Sequence, residues 1–333
     1  MSDTRFDVLG IGNAIVDVIA RAEEDFLVRQ KVVKGSMTLI DEAQAETLFQ
    51  AMGPATITSG GSAANTIAGL ASLGGRGAYI GKVREDEVGK LFRHDIGAIG
   101  VAFSTKSATD GPASARSFIL VTPDGERTMN TYLGACQGLG PADIDAEMVK
   151  ASGITYLEGY LWDPPAAKDA FRSASEIAHQ AGRKVALTLS DSFCVDRYRA
   201  EFLELMRSGA LDIVFANEHE LQALYQTSDF DTALAAIRKD VPLAVVTRSE
   251  KGALAATAAG ITSAPAFPVA SVVDTTGAGD LFAAGFLHGI SRGLNHEESL
   301  KLGAFAAAEI IQKIGPRPER PLAAAAKEAG LKV

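Results

Sequence analysis

Between residues 154 and 247, short apolar segments alternate with amphipathic segments of helical periodicity. The apolar segments are residues 154–158, 184–189, 211–216 and 243–247. Strands that are apolar throughout, without polar alternation, are typical of a parallel sheet buried on both faces. The pattern therefore predicts the α/β class, as a three-layer α/β/α sandwich with a mostly parallel central sheet. Because the composition shows no break and no low-complexity linker, we expect residues 1–333 to form one domain.

A second sequence pattern, of β type, covers residues 99–133. Segments 117–122 and 127–132 flank Pro-Asp-Gly-Glu, a turn sequence that favours a β-hairpin. Together with the loosely alternating residues 32–40, the hairpin predicts a small sheet outside the main layer. We expect this sheet to be inserted as a lid, from about residues 14–40 and 99–133.

The composition excludes several classes of protein. The net charge of −9 leaves no excess of basic residues to neutralise nucleic-acid phosphates. No apolar run approaches the roughly 20 residues that span a bilayer, and residues 1–7 lack the basic start and apolar core of a secretory signal. Cys136 and Cys194 have no metal-binding spacing, so neither a disulfide framework nor a zinc site is expected. These features predict a cytoplasmic protein that binds neither nucleic acid nor membrane.

The segment Asp-Thr-Thr-Gly-Ala-Gly-Asp, residues 274–280, lies between a strand-like run (267–273) and a helical pattern (283–291). Gly277 and Gly279 allow a ligand to approach the backbone closely. The N–H groups of the following helix start suit an anion, and Asp280 adds a carboxylate in the first turn. Phosphoryl transfer to a hydroxyl requires such an anion site beside a fixed base. A glycine turn with a capping aspartate is the structural alternative.

A second glycine pair, Gly60-Gly61, leads into Ser62 and a helix of small residues in which Asn65 lies one turn in. These glycines also allow a substrate to approach, although tight packing of a helix on a sheet explains them equally well.

Two short polar residues, Asn13 and Asp17, follow the first predicted strand, at the sheet edge where ligands bind in open α/β folds. The preceding Gly10-x-Gly12 is typical of dinucleotide-binding proteins, but Ile15 stands in place of the third glycine. A dinucleotide-dependent oxidoreductase is an alternative function that this feature alone supports.

Three further polar groups follow predicted strands. Asn217 and Glu220, three residues apart at a helix start, offer oxygen ligands that suit magnesium, directly or through water; a capped helix is the alternative. The polar loop 247–252 is suited to nucleotide phosphates, or is a hairpin turn. Glu158 and Trp162 follow another strand, and the single tryptophan is more typical of packing than of ligand stacking.

The two glycine motifs, in this order and with Asn217-x-x-Glu220 between them, resemble those of the ribokinase-like, or PfkB-type, carbohydrate and nucleoside kinases. The resemblance covers essentially the whole chain. Segments 189–193, 212–218 and 306–311, with Gly315 and Pro318, are most similar to adenosine kinases.

The resemblance implies a kinase that uses ATP and magnesium to phosphorylate the primary hydroxyl of a small molecule. Asp280 would be the base, and the amides of Gly277, Ala278 and Gly279 would bind the transferring phosphoryl group. The residues implied for the sugar or ribose are Asn13, Asp17, Gly61, Ser62, Asn65 and Glu158. Those implied for ATP are Asn217, Thr247, Arg248, Ser249, Gly252 and Gly279. Asn217 and Glu220 would order magnesium through water, and Asp274 would contribute to a potassium site.

The acceptor is less sharply defined than the reaction. Ser62 stands near where ribokinases commonly carry a lysine, which favours a nucleoside, adenosine first. Glu158 is similar to a sugar-contacting glutamate of ribokinases, which favours a sugar such as ribose or fructose. Phe103 and Phe193 are the candidates to sandwich a purine. A non-catalytic nucleotide or sugar sensor is a further alternative, and a monomer or homodimer is expected.

Overall fold

The computed structural model describes residues 4–333, and its strands form two sheets. The strands are β1 (Phe6–Ile11), β2 (Ile15–Arg21), β3 (Met37–Leu39), β4 (Ala55–Gly60), β5 (Gly77–Ile80), β6 (Ala115–Val121), β7 (Arg127–Tyr132), β8 (Ser152–Glu158), β9 (Lys184–Thr188), β10 (Ile213–Asn217), β11 (Leu243–Thr247), β12 (Ala253–Ala256) and β13 (Ile261–Ala264). The large sheet has the order β13-β12-β11-β10-β9-β8-β1-β5, and the small sheet β3-β7-β6-β2-β4.

The helices pack mainly around the large sheet. They are α1 (Glu24–Gln30), α2 (Glu42–Ala51), α3 (Ser62–Ser72), α4 (Glu87–Ala98), α5 (Ala146–Lys150), α6 (Pro165–Gln180), α7 (Ser192–Arg207), α8 (Glu218–Tyr225), α9 (Phe230–Asp240), α10 (Ala278–Ser291), α11 (His296–Ile311) and α12 (Leu322–Glu328). Within residues 4–333, none of them has the length and apolar character needed to cross a bilayer.

The large sheet is parallel from β5 to β11, and only β12 and β13 run antiparallel at its edge. Along β1, Leu9 and Ile11 pack into one buried cluster with Phe171 of α6, whereas Val8 packs into another with Phe286 of α10. Alternate residues of one strand thus fill two cores on opposite faces. This burial explains why the strands are apolar throughout, and the predicted three-layer sandwich is confirmed.

The small sheet contains the predicted hairpin as β6 and β7, which pair antiparallel from Arg116↔Tyr132 to Val121↔Arg127. It also contains β4, which the sequence did not predict as a strand. The Ala-Thr-Ile-Thr-Ser-Gly segment lacks an apolar face, and Ile57 at its centre is 47% exposed. β4 therefore forms as an edge strand through its pairing with β2, whose residues Ile15 to Ala20 supply the partners.

The predicted strand at 267–273 was wrong. Pro268 has no N–H for a ladder, and Val272 and Val273 at the end of the run are exposed. The segment instead lies along the end of α11, where the N–H of Val273 donates to the Ile311 carbonyl at 2.8 Å. The strand that pairs with β12 comes earlier in the chain, as β13.

Candidate active site

A cavity of about 690 Å³ is lined by the inner face of the small sheet and by the carboxyl ends of the large sheet's strands. Most of the residues singled out from the sequence line it: Asn13, Asp17, Gly61, Ser62, Asn65, Glu158, Asn217, Glu220, Thr247, Ser249, Gly252, Gly277, Ala278, Gly279 and Asp280. They come together because parallel strands present their carboxyl ends at one edge.

The glycine loop at the start of α10 is shaped by two different constraints. Gly277 caps the helix in the left-handed region, with φ of 76°, and a Cβ there would lie 2.7 Å from Cβ of Pro316. Gly279, in contrast, has an ordinary φ, and a Cβ there would meet no atom within 4 Å. Protein packing therefore requires a glycine at 277 but not at 279, where the open space belongs to the cavity.

The amides of this loop are not equivalent. The N–H of Ala278 donates to the Thr275 carbonyl at 3.2 Å, so it is engaged within the turn. The N–H of Gly279 lies in the first helical turn, where no intrahelical acceptor exists. With the positive end of the helix dipole, this part of the loop is suited to an anion.

Asp280 is held by α3 and lies partly buried in the lining of the cavity. Its Oδ1 accepts a hydrogen bond from Ser62 Oγ at 2.6 Å, and its Oδ2 accepts one from Asn65 Nδ2 at 3.0 Å. Burial raises the pKa of Asp280 to about 6, although these two hydrogen bonds and the nearby Arg317 act to lower it. A carboxylate with such a pKa is ionised at neutral pH and well matched to accept a proton.

Asn13 and Glu158 form a pair beside Asp280. Glu158 accepts hydrogen bonds from Asn13 Nδ2 at 2.7 Å and from the Ala63 amide at 2.8 Å, so both of its oxygens are engaged by the protein. Burial raises the pKa of Glu158 to about 7. The geometry thus makes Glu158 a support for Asn13 and for the start of α3.

Asp17, on β2 of the small sheet, is a further buried carboxylate in the cavity lining. Desolvation raises the pKa of Asp17 to about 7, against the opposing influence of Arg127 and Arg317. Its two carboxylate oxygens would be only 2.2 and 2.6 Å from a Cβ at position 60, which explains the glycine there. This carboxylate is well placed to accept hydrogen bonds from ligand hydroxyl groups.

Asn217 and Glu220 form a capping box at the start of α8. The Asn217 side chain accepts from the Glu220 amide at 2.8 Å, and the Glu220 carboxylate accepts from the Asn217 backbone and side chain at 3.0 and 2.5 Å. Burial and the neighbouring Asp191 raise the pKa of Glu220 to about 7. Since no basic side chain pairs with this carboxylate in the described part of the chain, a cation nearby fits the site electrostatically.

Direct metal binding by several protein carboxylates is not supported. Residues 4–333 contain no group of three or more His, Cys, Asp or Glu side chains able to hold a metal ion. Any magnesium at Glu220 would therefore take most of its ligands from water and phosphate, as that ion usually does.

Two of the residues expected at the ligand lie elsewhere. Arg248 pairs with Glu218 at 3.2 Å and stacks over Phe230 at 3.8 Å, so its guanidinium is turned to the protein. The carboxylate of Asp274 accepts from Arg127 Nη1 at 2.7 and 2.9 Å and also from two backbone amides. This buried ion pair does not fit the expected potassium site, because the guanidinium already neutralises the carboxylate.

The expected aromatic sandwich for a purine is also absent from the cavity lining of the described residues. Phe103 packs in the core against Tyr79 and Phe92, and Phe193 is 78% exposed at the start of α7. The rings that do line the cavity are Tyr160, Phe215, Phe267 and Phe282.

The sequence did not point to two partly buried arginines that lie near the site. Arg127 on β7 joins the small sheet to the glycine loop through Asp274. Arg317 donates to the carbonyls of Ser59 and Ala64, at 3.0 and 3.2 Å, and contributes positive charge near both Asp17 and Asp280. The only sequence signal for Arg317 is its position between two prolines, in a rigid turn after α11.

Comparison with known proteins identifies the family to which the chain belongs. The sequence model described as pfkB family carbohydrate kinase matches residues 29–322. A solved adenosine kinase from Sinorhizobium meliloti is 57% identical, with a TM-score of 0.93 over 98% of this chain and 99% of that chain. A solved probable sugar kinase protein from Rhizobium etli CFN 42 is 55% identical, with a TM-score of 0.94 over 99% and 100%.

A more distant relative is named for a different acceptor. An ATP-dependent ribose-1-phosphate kinase from Halopiger xanaduensis is 32% identical over 257 residues, which make up 73% of this chain and 79% of the relative. The chain therefore belongs to the pfkB family of carbohydrate kinases, has the ribokinase-like fold, and is a phosphotransferase that acts on an alcohol group.

Proposed function

We propose that the protein is an ATP-dependent kinase that transfers the γ-phosphoryl group to the primary hydroxyl of a ribonucleoside, adenosine first, to give AMP. The observation that carries this choice is the aliphatic wall that the small sheet presents to the cavity. Its residues are Ile15, Met37, Leu39, Ile119, Met129 and Leu133. A nucleobase has apolar faces that such a wall can bury, whereas a free sugar presents hydroxyl groups in most directions.

The exposure of this wall supports the same choice. Met37 is 39% exposed and Leu39 is 45% exposed. An occupant that covers these side chains gains the free energy of removing apolar surface from water. Glu158, which is similar to a sugar-contacting glutamate, has both carboxylate oxygens engaged by Asn13 and Ala63. Because these oxygens already accept hydrogen bonds from the protein, the presence of Glu158 is only weak support for a sugar acceptor.

The phosphoryl transfer needs little covalent work from the protein. Asp280 accepts the proton of the attacking hydroxyl. The amides of Gly277 and Gly279 donate hydrogen bonds to the charged phosphoryl group. The Ala278 amide joins them when its hydrogen bond to the Thr275 carbonyl opens. Asp17 accepts hydrogen bonds from ribose hydroxyls beside Asn13 and Asn65, and Thr247, Ser249 and Gly252 contact the nucleotide. The small sheet, as a lid, excludes water that would otherwise compete with the acceptor.

Magnesium would fit beside Glu220, because this buried carboxylate has no basic partner among residues 4–333. Glu220 and Asn217 would hold it through water. When bound, the ion supplies charge neutralisation of the phosphates.

The test is ADP release measured with adenosine, other nucleosides, ribose, fructose, fructose 6-phosphate and ribose 1-phosphate. We expect kcat/KM for adenosine to exceed every sugar by at least about tenfold, as a desolvated base contributes more than about 1.4 kcal/mol. In the same assay, Asp280→Asn should lower kcat by about 10³-fold or more while ATP still binds. Asp231→Asn, an exposed change of the same kind, is the control.

Other results would change the assignment. A higher kcat/KM for a sugar or sugar phosphate would refute the nucleoside, and near-normal turnover of Asp280→Asn would refute the base. Absence of turnover with all acceptors would favour a non-catalytic sensor.

Ribose 1-phosphate is the second candidate acceptor. The relative from Halopiger xanaduensis carries that name. Arg197 also lines the cavity; its side chain pairs with Asp163 at 3.5 Å but is half exposed, so it keeps N–H donors that a phosphate can accept from. The acceptor panel separates this candidate from adenosine directly.

A further inference from the structure

The carboxylate of Asp280 is held by two side chains from one helix, and the two differ chemically. Asn65 donates to Oδ2 through an amide, a group that does not ionise and only fixes the orientation. Ser62 donates to Oδ1 through a hydroxyl at 2.6 Å. Ser62 thus offers Asp280, a residue that lines the cavity, the same kind of primary hydroxyl that an acceptor substrate would offer.

The position of Ser62 is fixed by its neighbours. Gly61 caps α3 with φ of 90°, and a Cβ there would lie 2.2 Å from the Asn13 carbonyl oxygen. The backbone before Ser62 is therefore locked against the loop that carries Asn13. In the first turn of α3, the hydroxyl has a single short partner, Asp280.

The charges around Asp280 make this hydrogen bond important. The titratable and charged groups that face it from neighbouring elements are Asp17 on β2, Tyr156 and Glu158 on β8, Tyr160 in the turn after β8, and Arg317 after α11. Arg317 is the only positive charge in this set. Hydrogen bonds from Ser62 and Asn65 are consequently a main support for the ionised form.

We propose that Ser62 is a positioning residue for the transfer: its hydroxyl holds Oδ1 of Asp280 in the open site and keeps the carboxylate ionised until the acceptor hydroxyl takes over as donor. This inference rests on the proposed function, in which Asp280 is the base. It assigns Ser62 to the base, whereas the resemblance to the family had placed it among residues that contact the sugar.

A direct consequence concerns the pH profile. In Ser62→Ala, Oδ1 loses its donor while burial is unchanged, so the pKa of Asp280 rises. The acid limb of kcat/KM should move to higher pH by about one unit, the equivalent of a single hydrogen bond to a charged group. Above that limb the rate of the variant should return to within about tenfold of the wild-type rate, since the base is then ionised.

The experiment compares pH profiles of wild type, Ser62→Ala, Ser62→Thr and Ser72→Ala. Threonine keeps the hydroxyl and should restore the wild-type limb. Ser72 lies at the other end of α3 and bonds only to residues near α12, so its variant tests a general effect of serine loss in this helix. A uniform loss of rate in Ser62→Ala, without a shift of the acid limb, would show a merely structural role and overturn the proposal.

The outcome can be separated from that of the proposed function. If Asp280→Asn is inactive and the limb of Ser62→Ala is unshifted, the role of Ser62 fails while the kinase assignment stands. If no acceptor is turned over, the protonation of Asp280 is followed by difference infrared titration, with the carboxylate band assigned through Asp280→Asn. The pKa of Asp280 must then still be higher in Ser62→Ala than in wild type; equal values would refute the proposal.

Discussion

Replacement of Gly279 by alanine should give an enzyme that is more stable and much less active. A Cβ at this position meets no protein atom within 4 Å, and the backbone φ is compatible with any residue. Alanine favours a helix over glycine by up to about 1 kcal/mol, which corresponds to a rise in Tm of about 2 °C for a chain of this size. The same methyl group projects beside an amide that we assign to the phosphoryl group. Displacing that group by about 1 Å should lower kcat by on the order of 10²-fold.

The measurement combines thermal unfolding with steady-state ADP release. Gly97→Ala is a matched control, because Gly97 lies in α4, has an ordinary φ and would also have no atom within 4 Å of an added Cβ. It should gain stability with unchanged kcat. A Gly279→Ala enzyme with wild-type kcat would refute the close approach of phosphate at this position, and a loss of stability would refute the claim that the space there belongs to a ligand.

Three further predictions concern charge. Glu220→Gln should raise the magnesium concentration for half-maximal rate by about tenfold, whereas Glu218→Gln, which faces Arg248, should leave it unchanged. Arg127→Leu leaves the Asp274 carboxylate buried without its partner and should lower the urea unfolding free energy by about 3–5 kcal/mol, with part of the loss recovered by adding Asp274→Asn. The buried His288 has its pKa lowered to about 4, so between about pH 6.5 and 4 protonation of the unfolded chain should lower stability by about 3 kcal/mol. The His288→Leu variant should lack this pH-dependent loss of stability. If the unfolding free energies of wild type and variant change with pH in parallel, the prediction is wrong.

The sequence predicted the layers of the fold because burial on both faces leaves a local pattern. Strands such as β10 and β11 are apolar throughout, and each ends in a polar residue, Asn217 or Thr247, at the edge that carries the cavity. The run 267–273 has the same apolar character but contains a proline, pairs with no strand of the described residues and stays irregular. The periodicity of a strand can be recognised within one segment, whereas its pairing partner in the sheet cannot.

The side-chain partners of the site were the least predictable part. Asp274 is 147 residues from Arg127, and Asp280 is 218 residues from Ser62. The glycine motifs identify which loops meet, but many arginines and serines are compatible with those motifs. The register of β7 and the packing of α3 on α10 determine which arginine and which serine pair with the two aspartates. Neither feature can be deduced from a single sequence.

The join between β4 and α3 has a consequence for engineering. β4 belongs to the small sheet, the side chains of α3 hold Asp280, and Gly61 alone separates the two elements. The small sheet is therefore not a module that can be exchanged between relatives by cutting at its borders. A chimera with its crossover at residue 60 would pair a foreign edge strand with the native α3, and the angle at Gly61 would be set by neither parent. A crossover placed after Ser72 takes β4, Gly61 and α3 from the same parent. The angle at Gly61 and the hydrogen bonds from α3 to Asp280 are then preserved.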